Sequence, residues 1–124
     1  MTYLISKTFR FAAAHHLPRL PEGHKCRRVH GHNYAVTLVL EAGRLDEQGM
    51  VLDYGELDEV RSWIAHTLDH RDLNDVLGDL ATAEALADYV YSTWQAAYPR
   101  LCEVTVSETP DTTATITMRG AFRV

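Results

Sequence analysis

From Tyr3 onward the chain alternates in character, with Phe9, Phe11, Ala13 and His15 on one side of an extended chain and Thr8, Arg10 and Ala12 on the other. A period of two predicts a half-buried strand over residues 3–15. Pro18, Pro21 and Gly23 interrupt it. A second alternation then places His30, His32, Tyr34, Val36, Leu38 and Leu40 on one side and ends near Gly43, so a long connection joins two strands. A turn at residues 46–49 leads through Met50, Val51 and Leu52 into Leu57, Val60 and Ile64, spaced i, i+3, i+7. This predicts a helix ending near Leu68. Thr82 is placed to cap a second helix, with Glu84 in its first turn and an inner stripe of Leu86, Tyr89, Val90, Trp94 and Ala97 running up to Pro99. Strand character returns with Cys102, Val104, Val106 and Glu108 on one side, a turn at Pro110 and Asp111, and a last strand from about Thr113.

The order ββααββ predicts an α+β fold, a four-stranded antiparallel sheet with two helices covering one face. One domain is expected over residues 1–124, with no repeat, low-complexity tract or linker. So small a sheet has two unpaired edges, and long open edges are seldom left bare, so a homo-oligomer formed by edge pairing is expected.

Composition narrows the partners. A chain of 124 residues with 46% hydrophobic content can bury a continuous core without disulfide support. Cys26 and Cys102 lie far apart, and the first seven residues lack the basic start and apolar run of a secretory signal, so a reducing, cytoplasmic setting is expected. No apolar run approaches the roughly 20 residues that cross a bilayer. The formal net charge of -5 argues against polybasic binding to membranes or nucleic acid. Small molecules or other protein chains are the expected partners. Residues 19–32 reverse the balance, with Arg19, Lys25, Arg27 and Arg28 against Glu22, and His24 beside them. The segment is either a solvated basic loop or an electropositive entrance for an anionic substrate, and candidate catalytic residues in the same segment favour the second.

His30 and His32 project from the same side of a strand, about 7 Å apart at Cα, which suits two ligands on one metal. His15 ends the first strand, and antiparallel pairing would bring it beside them. Three neutral imidazoles with a fourth position open describe a catalytic zinc, whereas four protein ligands describe a structural one. Cys26 leaves both open. It completes a closed set as the fourth ligand, or, among Lys25, Arg27 and Arg28, it is a reactive thiolate acting as nucleophile or base. Asp69 next to His70 is a carboxylate that orients an imidazole for proton transfer, or a local backbone cap beside an exposed histidine. Glu108 continues an apolar strand side, and a carboxylate there demands a partner. That partner is an internal arginine or a ligand with two adjacent N–H donors, such as a 2-aminopyrimidinone ring.

Taken together, Phe11-Ala12-Ala13-Ala14-His15, Cys26-Arg27-Arg28-Val29-His30-Gly31-His32, Gly49-Met50-Val51-Leu52-Asp53-Tyr54, Leu68-Asp69-His70, Leu73-Asn74, Thr82-Ala83-Glu84 and Glu108-Thr109 resemble the 6-pyruvoyl- and 6-carboxy-tetrahydropterin synthase family over almost the whole chain. The resemblance implies the tunnelling fold, in which subunits associate into barrels, commonly hexamers, with active sites at their interfaces. It implies His15, His30 and His32 as zinc ligands, Cys26 as the catalytic thiol, and Asp69 and His70 as its partners in proton transfer across a subunit boundary. Glu108, followed by Thr109, corresponds to the pterin anchor, and His24, Lys25 and Arg28 belong to the loop that would hold a triphosphate. The implied substrate is 7,8-dihydroneopterin triphosphate. The carboxy enzymes, on the bacterial route to 7-deazapurines such as queuosine, release acetaldehyde and triphosphate and leave 6-carboxy-5,6,7,8-tetrahydropterin. The pyruvoyl enzymes keep all three side-chain carbons.

The run Pro21-Glu22-Gly23-His24-Lys25-Cys26 is similar to the carboxy type. A folate-related variant carries Glu at or beside the cysteine, where this chain has Lys25 and Arg27. Ile116 stands near a position where the family often has an aromatic. A zinc-stabilised interaction domain would use the same histidines without needing Glu108, Asp69, His70 and a basic thiol loop together.

Overall fold

The computed structural model describes residues 1–119. Strands β1 (Tyr3–His15) and β2 (His30–Ala42) lead into helices α1 (Asp58–Thr67), α2 (Asn74–Leu77) and α3 (Ala83–Trp94), followed by strands β3 (Leu101–Thr109) and β4 (Thr112–Thr117). Short 3₁₀ turns at Lys25–Arg27 and Tyr54–Leu57 punctuate the connections. The four strands form one antiparallel sheet in the order β1-β2-β3-β4. This is the expected α+β architecture with one addition, the single turn α2.

The alternation in β1 and β2 sets which side is buried. Phe9, Phe11, Ala13, Tyr34, Val36, Leu38 and Leu40 meet Val104 and Val106 from β3, and Leu57, Val60, Ile64, Leu86, Ala87 and Val90 close over them. Burying a leucine- or phenylalanine-sized side chain contributes about 1.5–3 kcal/mol, which is why a two-residue period is enough to orient each strand. The caps follow the sequence. Thr82 Oγ1 accepts from Ala85 N at 3.1 Å and Asp53 Oδ1 from Gly55 N at 2.8 Å.

Two local expectations are corrected. Helix α3 ends at Trp94, and the chain turns on through Tyr98 N to Trp94 O at 3.0 Å. Tyr98 therefore takes the buried place expected for Ala97, which is exposed. In β3 the pairing with β2 slips between Val39 and Leu40. Leu101 consequently joins the core beside Leu40, while Cys102, also buried, directs its thiol to Val39 O at 3.4 Å. Burial then pushes the Cys102 thiol up to about 11, so it is protonated at neutral pH.

The β1–β2 ladder runs without a slip from Tyr3 opposite Ala42 to His15 opposite His30. Beyond α1 the chain comes back along the other edge of β1. His70 N donates to Ala12 O at 2.6 Å, Ala14 N to Arg71 O at 3.0 Å and Leu73 N to Ala14 O at 2.8 Å. A parallel bridge between Ala14 and Asp72 results, so the edge of β1 is covered near His15. His70 has φ of 57°, a left-handed conformation that a non-glycine residue adopts when surrounding bonds hold it. Here it turns the chain from α1 onto the strand edge.

Candidate metal centre and active site

His15 is only 1% exposed and lies directly across the ladder from His30, with His32 one inward position further along opposite Ala13. The imidazole centroids are 4.6 Å apart for His15 and His30, 5.1 Å for His15 and His32, and 4.9 Å for His30 and His32. One nitrogen from each ring falls within 4.8 Å of the other two.

The protonation of two rings follows from their partners. Nδ1 of His15 is 2.7 Å from Ala81 O, and Nδ1 of His30 is 2.7 Å from Arg28 O. A carbonyl only accepts, so each Nδ1 carries a proton, and in the neutral tautomer with that proton the lone pair is on Nε2. Nε2 of His15 and of His32 are buried with no hydrogen-bond partner among the described residues. An unsatisfied buried polar group costs about 1–3 kcal/mol, and a metal ion removes that cost. Burial lowers the His32 pKa, opposed by the Glu108 carboxylate and reinforced by the neighbouring His15 and His30, which keeps the ring neutral as a ligand must be. Three histidines are thus placed to hold a metal ion, and the donor set fits the imidazole-binding divalent metals.

Cys26 is not in this cluster among the described residues. It is half-buried in the 3₁₀ turn Lys25–Arg27, where its N–H donates to His24 Nδ1 at 3.0 Å and its carbonyl accepts from Leu17 N at 2.8 Å. His24, Lys25 and Arg28 are exposed around it. The arginine between, Arg27, braces the loop through Nη1 to Leu20 O at 2.8 Å.

Asp69 Oδ1 accepts from Ala12 N at 3.0 Å and lies 3.0 Å from His70 Nδ1. The Ala12 bond, aided by His70, holds the Asp69 carboxyl below its usual range. The backbone N–H that Asp69 holds is thus 57 positions away rather than local, and the same oxygen lies beside the imidazole. The His70 side chain is 82% exposed and borders an open groove of about 550 Å³ floored by Ala12, Ala14 and Gly31.

Glu108 sits where β3 and β4 slip between Val106 and Thr109, and such bulges re-aim side chains. Its carboxylate lies 3.7 Å from His32 Nε2, and among the described residues no arginine pairs with it. Thr109 is occupied locally, its Oγ1 3.0 Å from Thr112 Oγ1. Ile116 pairs with Val104 and packs against the core.

Tyr34 and Asn74 were not singled out as site residues by the sequence patterns. Tyr34, stacked on Phe11 at 5.1 Å and edge-on to the His15 and His32 rings, has a buried hydroxyl, and burial followed by the Glu108 charge raises its pKa. Its strand parity with His30 and His32 was the available signal.

Fold and site define the class, an α+β protein whose sheet places three histidines to hold a metal ion at the end of its first ladder. A family model described as 6-pyruvoyl tetrahydropterin synthase matches residues 4–119. The chain is 40% identical over 114 residues to 6-carboxy-5,6,7,8-tetrahydropterin synthase of Synechocystis sp., covering 86% of this chain and 87% of that one. It is 34% identical over 119 residues to the protein of the same name from Bacillus subtilis, covering 88% and 81%. The solved structure of Caenorhabditis elegans 6-pyruvoyl tetrahydropterin synthase superposes with a TM-score of 0.81 at 28% identity, covering 94% of this chain and 96% of that one. The chain belongs to the 6-pyruvoyl tetrahydropterin synthase family, and with it to the lyases.

Proposed function

We propose that this lyase converts 7,8-dihydroneopterin triphosphate to 6-carboxy-5,6,7,8-tetrahydropterin, releasing acetaldehyde and triphosphate and consuming one water, with zinc at the three histidines. The observation that carries the reading is the convergence with His30 of the buried Nε2 atoms of His15 and His32, neither of them hydrogen-bonded among the described residues. The carboxy product rests on the relatives at 40% and 34% identity that bear that name. The side-chain carbons give up the two electrons that the dihydropterin ring takes up, so no external redox cofactor enters. Zinc, when bound, supplies a Lewis acid that acidifies the side-chain hydroxyls of the substrate.

The residues divide the remaining work. Glu108, freed of any arginine, accepts from the two N–H groups on the pterin edge. Cys26 takes and returns protons, and Asp69 orients His70 for the same purpose. Lys25 and Arg28, with His24, draw the triphosphate to the loop, and Thr109 steadies the turn after Glu108. Incubation with dihydroneopterin triphosphate and product analysis tests the whole. Acetaldehyde with 6-carboxytetrahydropterin is expected, a pyruvoyl product would move the chain to the sister activity, and no turnover would overturn the reading. Formation of this product would also be consistent with a role in 7-deazapurine synthesis.

Glu108→Gln replaces one acceptor oxygen by a donor. Pterin affinity should fall by about 2 kcal/mol, read by titration, while metal content stays unchanged. Unchanged affinity would place the anchor elsewhere.

Within one chain the thiol and the Asp69–His70 pair are bonded to different parts of the backbone, Asp69 and His70 to Ala12 and Cys26 to Leu17, five positions on. The proposal is therefore that His70 serves the thiol of a second copy in a homo-oligomer such as a hexamer. Among the described residues, the length of β1 before Ala12, with Tyr3 and Leu4 exposed, and the outer edge of β4 have no paired strand. Mixing inactive Cys26→Ala and His70→Ala chains should restore activity, at about one quarter of sites if assembly is random. A mixture that forms mixed oligomers yet stays inactive would confine both groups to one chain.

A further inference from the structure

The Leu73-Asn74 pair has no part in the chemistry above, yet the Asn74 side chain makes three hydrogen bonds. Its Oδ1 accepts from His16 N at 2.9 Å, and its Nδ2 donates to His16 O at 2.9 Å and to Gly78 O at 2.9 Å. The partners fix the amide orientation, because a backbone N–H only donates and the two carbonyls only accept. The carboxamide thus imitates a strand neighbour for the residue after His15. It ties down both backbone polar groups of His16 at the point where the β1–β2 ladder has ended.

The same side chain reaches the other support of His15. Asn74 O accepts from Gly78 N at 2.8 Å, so with the Nδ2 bond to Gly78 O the turn is closed from both sides. Gly78 has φ of 71°, a conformation in which a side chain is strained, and the chain then runs three residues to Ala81. Ala81 O is the acceptor that sets the His15 tautomer.

We propose that Asn74 is a positioning residue for the metal centre, holding His15 through the backbone of His16 and through the turn that presents Ala81 O. This rests on the reading of His15 as a metal ligand. The physical reason is that a ligating imidazole needs its backbone and its outer-sphere acceptor held to one another, and loss of such outer partners lowers metal affinity by about 10- to 100-fold. An aspartate is nearly isosteric with Asn74 and keeps the acceptor for His16 N. It loses both Nδ2 donors and turns a charged oxygen toward two carbonyls.

The test compares Asn74→Asp with Asn74→Ala, which adds no charge. A remote control, Tyr98→Phe, removes the 2.7 Å bond to Glu56 O and lowers stability without touching the site. Zinc affinity is measured by chelator competition on folded protein, together with the visible spectrum of the cobalt form and the nitrogen-correlated imidazole NMR signals of metal-free protein. Expected are a zinc affinity at least about 10-fold weaker in both Asn74 variants, an altered cobalt spectrum, and loss of the protected His15 Nδ1–H signal. Tyr98→Phe should change none of these. Wild-type zinc affinity in a folded Asn74 variant with the His15 signal intact would overturn the proposal. Should Asn74→Asp not fold, Asn74→Ala decides alone. Wild-type protein that binds neither metal would instead remove the ligand reading, while the Nδ1–H signal still decides whether Asn74 positions His15.

Discussion

Cys26→Ala is expected to retain one metal ion per chain and near-native stability while turnover falls by about 10²- to 10⁴-fold, the usual contribution of a positioned acid or base. The side chain lies outside the histidine cluster. The hydrogen bonds that hold the residue come from its backbone, the N–H to His24 Nδ1 and the carbonyl from Leu17 N. Alanine keeps both. What it removes is the thiol, the group proposed to take and return the proton, and none of its neighbours His24, Lys25 and Arg28 is altered. Metal analysis and a product assay on the same preparation read the two roles separately. A variant that sheds its metal and unfolds would show the cysteine to be a ligand and the site to be closed.

His30→Ala should show the opposite order, with metal lost first and activity lost with it. His30 is the better residue to remove than His15, because it is half-buried and its truncation opens no cavity in the core. Arg28 O loses its partner but remains in an exposed turn where water replaces it. Two imidazoles remain, and the affinity should fall by more than the roughly 100-fold that follows loss of an outer-sphere partner. A ligand present at 1,000 times its Kd stabilises the folded state by about 4 kcal/mol. Added zinc should therefore raise the melting temperature of the wild type and leave that of His30→Ala almost unmoved. An equal rise in both would mean that zinc binds elsewhere.

Particular elements show how far sequence patterns reach. The two-residue period placed Phe9, Phe11 and Tyr34 inside and put His15, His30 and His32 on one side. The spacing of Leu57, Val60 and Ile64 found the buried face that enters α1. Thr82 was recognisable as a cap because its hydroxyl serves an N–H three residues on. The turn α2 was not recognisable, since four residues carry no period. Ala97 was misplaced for a related reason: the helical period was extended past Trp94, where the chain turns and offers Tyr98 to the core instead.

By itself the sequence determined the order of elements, the inward side of each strand and the identity of the candidate ligands, because these depend on spacing along one chain. Tertiary structure alone decided which ring nitrogens are free, since that follows from Ala81 O and Arg28 O meeting His15 and His30. It decided that Glu108 faces His32 across a bulge and that no arginine among the described residues claims it. It also decided that the segment after α1 lies along β1, which bonds His70 to Ala12 and Asn74 to His16, the residue after His15. Each of these joins groups distant in the chain through a short-range, directional bond, and a one-dimensional pattern holds no information on the direction of such bonds.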